Sequence, residues 1–184
     1  MPMQTREKNQ LMTSEEIERT LQRLAHEIVE KTNGADKVAL IGIRRRGVPL
    51  ARRIARMIEA SSSVKLPIGI LDITLYRDDL SLVADHPIVQ STDINFPVDD
   101  KILILVDDVL YTGRTVRAAL NGLFDHGRPR AIQLCVLIDR GHRELPIEAT
   151  YAGRKVQTTD LEIIEVRLSE IDHEERVMLI ERVP

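Results

Sequence analysis

The sequence predicts an α/β fold in which a doubly wound, mainly parallel sheet is flanked by helices, and three observations carry that expectation. Apolar runs of strand length at Val38–Ile43, Ile102–Val106 and Ala131–Ile138 show no polar alternation, as expected of strands covered on both faces. Segments with apolar residues at helical spacing separate those runs. The run at Ile102–Val106 then passes directly into Asp107-Asp108, placing acids where open parallel sheets bind their ligands. With 184 residues, 43% hydrophobic and 30% charged, the chain is expected to form one domain over 1–184.

The elements follow in order. Thr13-Ser14-Glu15-Glu16 has the form of a capping box, and Ile17, Leu21, Leu24, Ala25 and Ile28 continue it as an amphipathic helix closed by Asn33-Gly34. Val38–Ile43 is a strand that ends in Arg44-Arg45-Arg46-Gly47. Pro49 then introduces a helix carrying Leu50, Ile54, Met57 and Ile58. Ile68–Tyr76 is expected to be a strand with one irregular register point. Residues 77–100 have no sustained period and carry Pro87 and Pro97, as a functional flap or hairpin would. After Ile102–Val106, a helix with Val116, Leu120, Leu123 and Phe124 stops at His126-Gly127, and Ala131–Ile138 forms the next buried strand. Shorter strands are expected at Glu148–Tyr151, Leu161–Val166 and Val177–Ile180.

Composition narrows the function classes. Cys135, the single cysteine, lies within an apolar run and reads as a small core residue in a reducing compartment. Met1–Asn9 lacks the apolar stretch of a secretory signal, and no segment reaches the roughly 20 apolar residues of a spanning helix, so a cytoplasmic protein without membrane partners is expected. The formal charge of -3 argues against nonspecific polyanion binding, while leaving room for a local basic face.

The chemistry concentrates in Ile102–Thr115, ILILVDDVLYTGRT. Adjacent carboxylates beside a hydrophobic strand are costly unless they meet hydroxyls, a metal or cations. Thr112-Gly113-Arg114-Thr115 enters a helix, where backbone N–H groups, the helix dipole and two hydroxyls favour a phosphate. Acids for a sugar diol beside donors for its 5′-phosphate suggest a phosphoribose. The bland alternative makes Asp107 and Asp108 a helix-cap signal. A receiver domain also places acids at strand ends, but distributes them over separate strands.

Leu103–Thr115 resembles the phosphoribosyl-pyrophosphate (PRPP) motif of the type I phosphoribosyltransferases. Further segments, among them Arg19–Glu27, Gly42–Ala51, Asp72–Ser81 and Leu137–Ile147, extend the resemblance over nearly the whole chain. They make it similar to the bacterial regulators of pyrimidine operons that also have uracil phosphoribosyltransferase activity. The resemblance implies the type I phosphoribosyltransferase fold with a flexible hood over 77–100, and conversion of uracil and PRPP to uridine monophosphate (UMP) and pyrophosphate.

It also implies roles for residues. Asp107, Asp108, Val109, Leu110, Tyr111, Thr112, Gly113, Arg114 and Thr115 would bind PRPP or UMP. Asp107 and Asp108 would hold Mg2+ directly or through water, and Arg77 would act with them in catalysis. Arg45, Arg46 and Gly47 would form the pyrophosphate loop, with a strained non-proline peptide there, and Arg77 would reach the pyrophosphate from the hood. Arg140 would lie near uracil, and backbone around Val156 would read its edge. A UMP-favoured interaction with pyrimidine-operon leader messenger RNA would use Arg19, Arg23, Lys31, Arg143, Arg154 and Lys155, and a homodimer or homotetramer is implied. Glu148 stands where such regulators tend to carry a basic residue, and Thr159–Glu165 is acidic, which works against an RNA phosphate. The PRPP motif does not choose the base, so a purine or orotate enzyme without RNA regulation remains the alternative.

Overall fold

The computed structural model describes residues 4–77 and 91–183. Two sheets organise them. Strands β2 (Val38–Ile43), β3 (Ile68–Leu71), β4 (Ile102–Leu110), β5 (Ala131–Asp139) and β6 (Tyr151–Lys155) form a parallel sheet in the order β3-β2-β4-β5-β6. Strands β1 (Gln4–Met12), β7 (Glu162–Arg167) and β8 (Arg176–Val183) form an antiparallel sheet in the order β1-β8-β7.

The unbroken apolar runs of the parallel strands have a direct cause. Leu40, Ile104, Val106, Cys135 and Leu137 pack on one face with helices α1 (Ser14–Lys31) and α2 (Gly47–Ser62). Ala39, Ile41, Leu103, Leu105 and Val136, alternating with them along the same strands, pack on the other with α3 (Arg114–Phe124). Both faces are covered, so period two disappears from the sequence.

Helix α1 begins with the expected capping box: Thr13 Oγ1 accepts from the Glu16 amide at 3.3 Å, and the Glu16 carboxylate accepts from the Thr13 amide at 2.8 Å. Such a cap stabilises by about 1 kcal/mol. Ile17, Leu21, Leu24 and Ile28 are almost fully buried, and each contributes about 1.5–3 kcal/mol. Packing, more than the cap, therefore holds this helix.

Three sequence expectations change. The strand expected over Ile68–Tyr76 ends at Leu71, because the Asp72 carboxylate accepts from the Thr74 amide at 2.9 Å and turns the chain into a short 3-10 helix over Thr74–Tyr76. The strand expected at Glu148–Tyr151 starts at Tyr151 instead. Its signal is weakened by Gly153, where a Cβ would lie 2.4 Å from the Leu137 carbonyl oxygen. β1 was not expected at all, since QTREKNQLM is polar; its partner is the distant β8, with Gln4 opposite Val183.

Of the segment 77–100 read as a hood, residues 78–90 lie outside the described residues. Residues 91–100 return against the sheet: Ile70 and Asp93 exchange backbone hydrogen bonds of 2.8 Å, Val98 is buried, and Ile94 and Phe96 pack on the core.

Gly47 fixes how α2 meets the sheet. A Cβ there would lie 2.2 Å from the Val106 carbonyl oxygen, a backbone atom that cannot step aside. Gly47→Ala is expected to destabilise by roughly 3 kcal/mol, lowering Tm by about 6–12 °C; calorimetric melting checks this.

Candidate active site

β2 stops pairing with β4 at Gly42 opposite Val106, whereas β4 continues along β5 to Leu110 opposite Asp139. The acids thus sit within β4 rather than beyond its end, and the termination of β2 opens them to solvent on one side. A cavity of about 410 Å³ lies there. The loop from β2 to α2 lines it with Arg44, Arg45 and Arg46, the turn after β3 with Asp72, Thr74 and Arg77, and the β4–α3 segment with Asp107, Asp108, Val109 and Thr115.

Asp107 is only 8% exposed and accepts a 2.9 Å hydrogen bond from the Asp108 amide. Burial, reinforced by the neighbouring Asp108 charge, pushes its carboxyl well above the ordinary carboxylate range. Asp108 accepts from the Val109 amide at 2.9 Å. Two adjacent carboxylates, one buried and electrostatically strained, suit a divalent cation. Among the described residues no group of three or more histidine, cysteine or acidic side chains could cage one. The donor set therefore fits magnesium that draws its remaining oxygens from substrate and water.

The turn after β4 is held from behind. The Leu110 carbonyl accepts from the Arg140 amide at 3.1 Å, Tyr111 from the Arg143 guanidinium at 2.9 Å, and Thr112 from the Glu144 amide at 2.9 Å. Among the described residues the amides of Thr112 and Gly113 donate to no protein acceptor. Unpaired donors next to the start of α3 form a ready anion site. Gly113, at φ 92°, adopts a backbone geometry that other residues disfavour. Leu110 is buried, so only its backbone faces the turn, and the Arg114 guanidinium bonds Glu144 at 2.5 Å.

In the arginine loop the Arg44–Arg45 peptide is cis. Arg45 is exposed, while Arg46 makes a paired contact with Asp172 of the short helix α4 (Ser169–Asp172), at 2.6 and 3.1 Å. That guanidinium holds the Asp172 carboxyl below its ordinary range. The stabilisation is present above the ordinary value of 3.8 and lost as pH falls through the depressed one. Asp172→Asn is expected to cost about 1 kcal/mol at neutral pH, with the Tm difference from wild type vanishing in acid; melting curves across pH check this.

The proposed base-pocket residues lie outside the cavity's lining. Arg140 is buried; it bonds Thr158 Oγ1 at 3.1 Å and the Glu162 carbonyl at 2.8 Å, and its guanidinium lies 4.0 Å from the Tyr111 ring centroid. Burial lowers its pKa. Arg140 thus braces Tyr111, whose exposed ring also meets His142 edge-on at 5.9 Å. The Val156 amide donates to the Asp139 carbonyl at 2.9 Å.

Of the residues expected to meet RNA, Arg19, Arg23 and Arg154 border one depression between α1 and β6. Arg23 bonds the carbonyls of Ala152 and Gly153 at 3.1 and 2.6 Å. Lys31 bonds the Thr150 carbonyl at 3.2 Å and sits over the Tyr151 ring, Lys155 is exposed beside Arg154, and Arg154 bonds the Leu11 carbonyl. Arg143 belongs elsewhere: it bonds Ile147 and Tyr111 carbonyls and the Asp139 carboxylate in the loop after β5.

Sequence reasoning assigned no role to Asp72, Thr74 or Asp172. Asp72 and Thr74 were hidden by the strand reading of that segment. Asp172 has no local signal, since its partner Arg46 is 126 positions away.

The Phosphoribosyl transferase domain family matches residues 7–171. The chain is 57% identical over 176 residues to the Bifunctional protein PyrR of Pelotomaculum thermopropionicum, covering 96% of this chain and 97% of that protein. It is 54% identical over 175 residues to the Bifunctional protein PyrR of Thermus thermophilus, covering 95% and 97%. In structure it is similar to a hypoxanthine-guanine phosphoribosyltransferase from Bacillus anthracis, with TM-score 0.71 and 20% identity over 97% of this chain and 99% of that one. The hypoxanthine phosphoribosyltransferase of Trypanosoma cruzi gives TM-score 0.71 and 16% identity over 96% and 98%. Those distant likenesses establish the fold. Among the described residues no helix is long and apolar enough to cross a membrane. Family match and close relatives together establish that the chain belongs to the phosphoribosyltransferase family, among the bifunctional PyrR proteins.

Proposed function

We propose that the chain transfers the phosphoribosyl group of PRPP to uracil, giving UMP and pyrophosphate, and that it also binds pyrimidine-operon leader RNA in a UMP-dependent manner. The observation that carries the enzymatic reading is the single cavity bordered by two strand carboxylates, three loop arginines and Arg77, next to a turn with unpaired amides.

In this reading the 5′-phosphate sits on the Thr112 and Gly113 amides, the start of α3 and the Thr112 and Thr115 hydroxyls. Asp107 and Asp108 accept from the ribose hydroxyls. Arg45 and Arg77 face the pyrophosphate, where the guanidinium fork matches phosphate oxygens and takes up charge as the leaving group departs. Arg46, tied to Asp172, orients the loop and supplies charge. The sugar passes through a state with oxocarbenium character, so alignment and leaving-group neutralisation are the main demands. Asp107 and Asp108 would hold magnesium, which when bound neutralises pyrophosphate charge and orients the ribose. The uracil ring would lie by Tyr111, with its edge at the Val156 backbone.

The uracil preference draws on the close PyrR relatives; the hypoxanthine enzymes share the fold at 16–20% identity. Purified protein assayed with PRPP, magnesium and a panel of uracil, hypoxanthine, guanine and orotate is expected to favour uracil. Preference for a purine or orotate would overturn the base assignment. The RNA half draws on the basic depression of Arg19, Arg23 and Arg154. Leader RNA should bind more tightly with UMP, and binding should weaken steeply with salt. Binding indifferent to UMP removes this half and leaves the enzyme intact.

A further inference from the structure

A second basic cavity of about 310 Å³ lies on the other side of the arginine loop, and Arg44 and Arg45 border both cavities. Its remaining wall is the outer face of α2, where Pro49, Arg52 and Arg56 share one side, together with Glu170 and Ile171.

The distribution of counter-charge around it is uneven. Acids of the α4 region are committed to other arginines: Glu170 bonds Arg53 at 2.6 and 2.8 Å, Glu175 bonds Arg53 at 2.5 and 3.0 Å, and Asp172 holds Arg46. Among the described residues no carboxylate pairs with Arg45, Arg52 or Arg56, and all three are exposed. The fold thus neutralises Arg46 and Arg53 and leaves three neighbouring guanidinium groups around a concavity, an arrangement that an anion relieves.

We propose that this cavity is a second anion site, and that it takes the linked phosphates of a polyphosphate, whether inorganic or carried by a nucleotide. Several arginines spread around one concavity match successive phosphates better than a single one, because each planar fork engages a different group of oxygens. Pro49 and Ile171 add an apolar wall that a nucleoside would use and an inorganic chain would not. Since Arg44 and Arg45 border both sites, an anion here competes for the same positive charge as the pyrophosphate of PRPP. The two cavities are distinct, so occupation weakens PRPP binding without excluding it, raising the KM for PRPP and leaving kcat nearly unchanged.

The test is calorimetric titration of inorganic tripolyphosphate, and separately of ATP, into full-length protein saturated with PRPP and magnesium, comparing wild type with R52Q/R56Q. Neither arginine lies in the first cavity, so the double variant is expected to keep its Tm and its turnover without added anion. Tripolyphosphate should bind the wild type saturably, and the double variant about tenfold or more weakly. Equal affinity for the two probes assigns recognition to the phosphates; tighter ATP binding adds the apolar wall. In steady state, the rise in KM for PRPP with tripolyphosphate should shrink in R52Q/R56Q. Wild type that binds neither probe, or a double variant that binds them as wild type does, overturns the proposal. That binding arm fails independently of the uracil assay, because it reads occupancy and no base is present.

Discussion

Arg77→Ala is expected to lower kcat/KM for UMP formation by about two to three orders of magnitude, with Tm within about 1–2 °C of wild type. The stability half follows from position: Arg77 is exposed and follows the 3-10 turn, so its removal opens no core void. The catalytic half follows from the cavity, whose lining joins Arg77 from the turn after β3 with the loop arginines, so guanidinium groups from two segments are available to a departing pyrophosphate. Because that charge develops as the bond to the sugar breaks, kcat should fall more than affinity for PRPP. Steady-state kinetics at saturating PRPP decide it; near-normal kcat removes Arg77 from the mechanism.

Asp107→Asn is expected to act in opposite directions on activity and stability. Activity with PRPP should fall by about two orders of magnitude or more and lose its graded response to magnesium, because one of the two carboxylates is gone. Stability of the unliganded protein should rise. Burial and Asp108 raise the Asp107 pKa above its ordinary 3.8, so the folded state binds this proton more tightly than the unfolded one. Its contribution is therefore favourable in acid and declines as pH climbs from the ordinary value through the raised one. Above that, the ionised buried carboxylate is a standing cost. Asparagine keeps an oxygen for the Asp108 amide and removes the charge, so Tm at neutral pH should rise by about 2–4 °C for each kcal/mol relieved. Melting curves across pH and a magnesium titration of rate check both halves; an unchanged Tm together with unchanged kinetics would contradict the strain and the role alike.

The parts of the fold that the sequence announces are those where local pattern and tertiary environment agree. Val38–Ile43 is observed to the residue, and the Thr13 capping box forms as read. Asp107 and Asp108 stood out because adjacent acids directly after an unbroken apolar run have few structural uses, although the strand itself continues through them to Leu110. The polar β1 was not legible, since its partner lies at the far end of the chain. Nor was the end of β3, decided by one Asp72 hydrogen bond. Arg46 and Arg140 show a further limit. The resemblance implied a pyrophosphate loop for Arg46 and a place near uracil for Arg140; in the structure Arg46 is tied to Asp172, and Arg140 is buried against Tyr111, Thr158 and the Glu162 carbonyl. An arginine's partner is set by tertiary packing, and spacing carries no record of it. Arg45 and Arg77 are exposed and line the cavity.

A crystal structure with UMP and magnesium will show whether the β4–α3 segment holds the ribose phosphate. The 5′-phosphate is expected on the Thr112 and Gly113 amides, the ribose hydroxyls at Asp107 and Asp108, and the pyrimidine by Tyr111 with its edge at the Val156 backbone. A nucleotide whose phosphate lies instead among Arg44, Arg45 and Arg46, or whose ribose leaves both aspartates untouched, would contradict it.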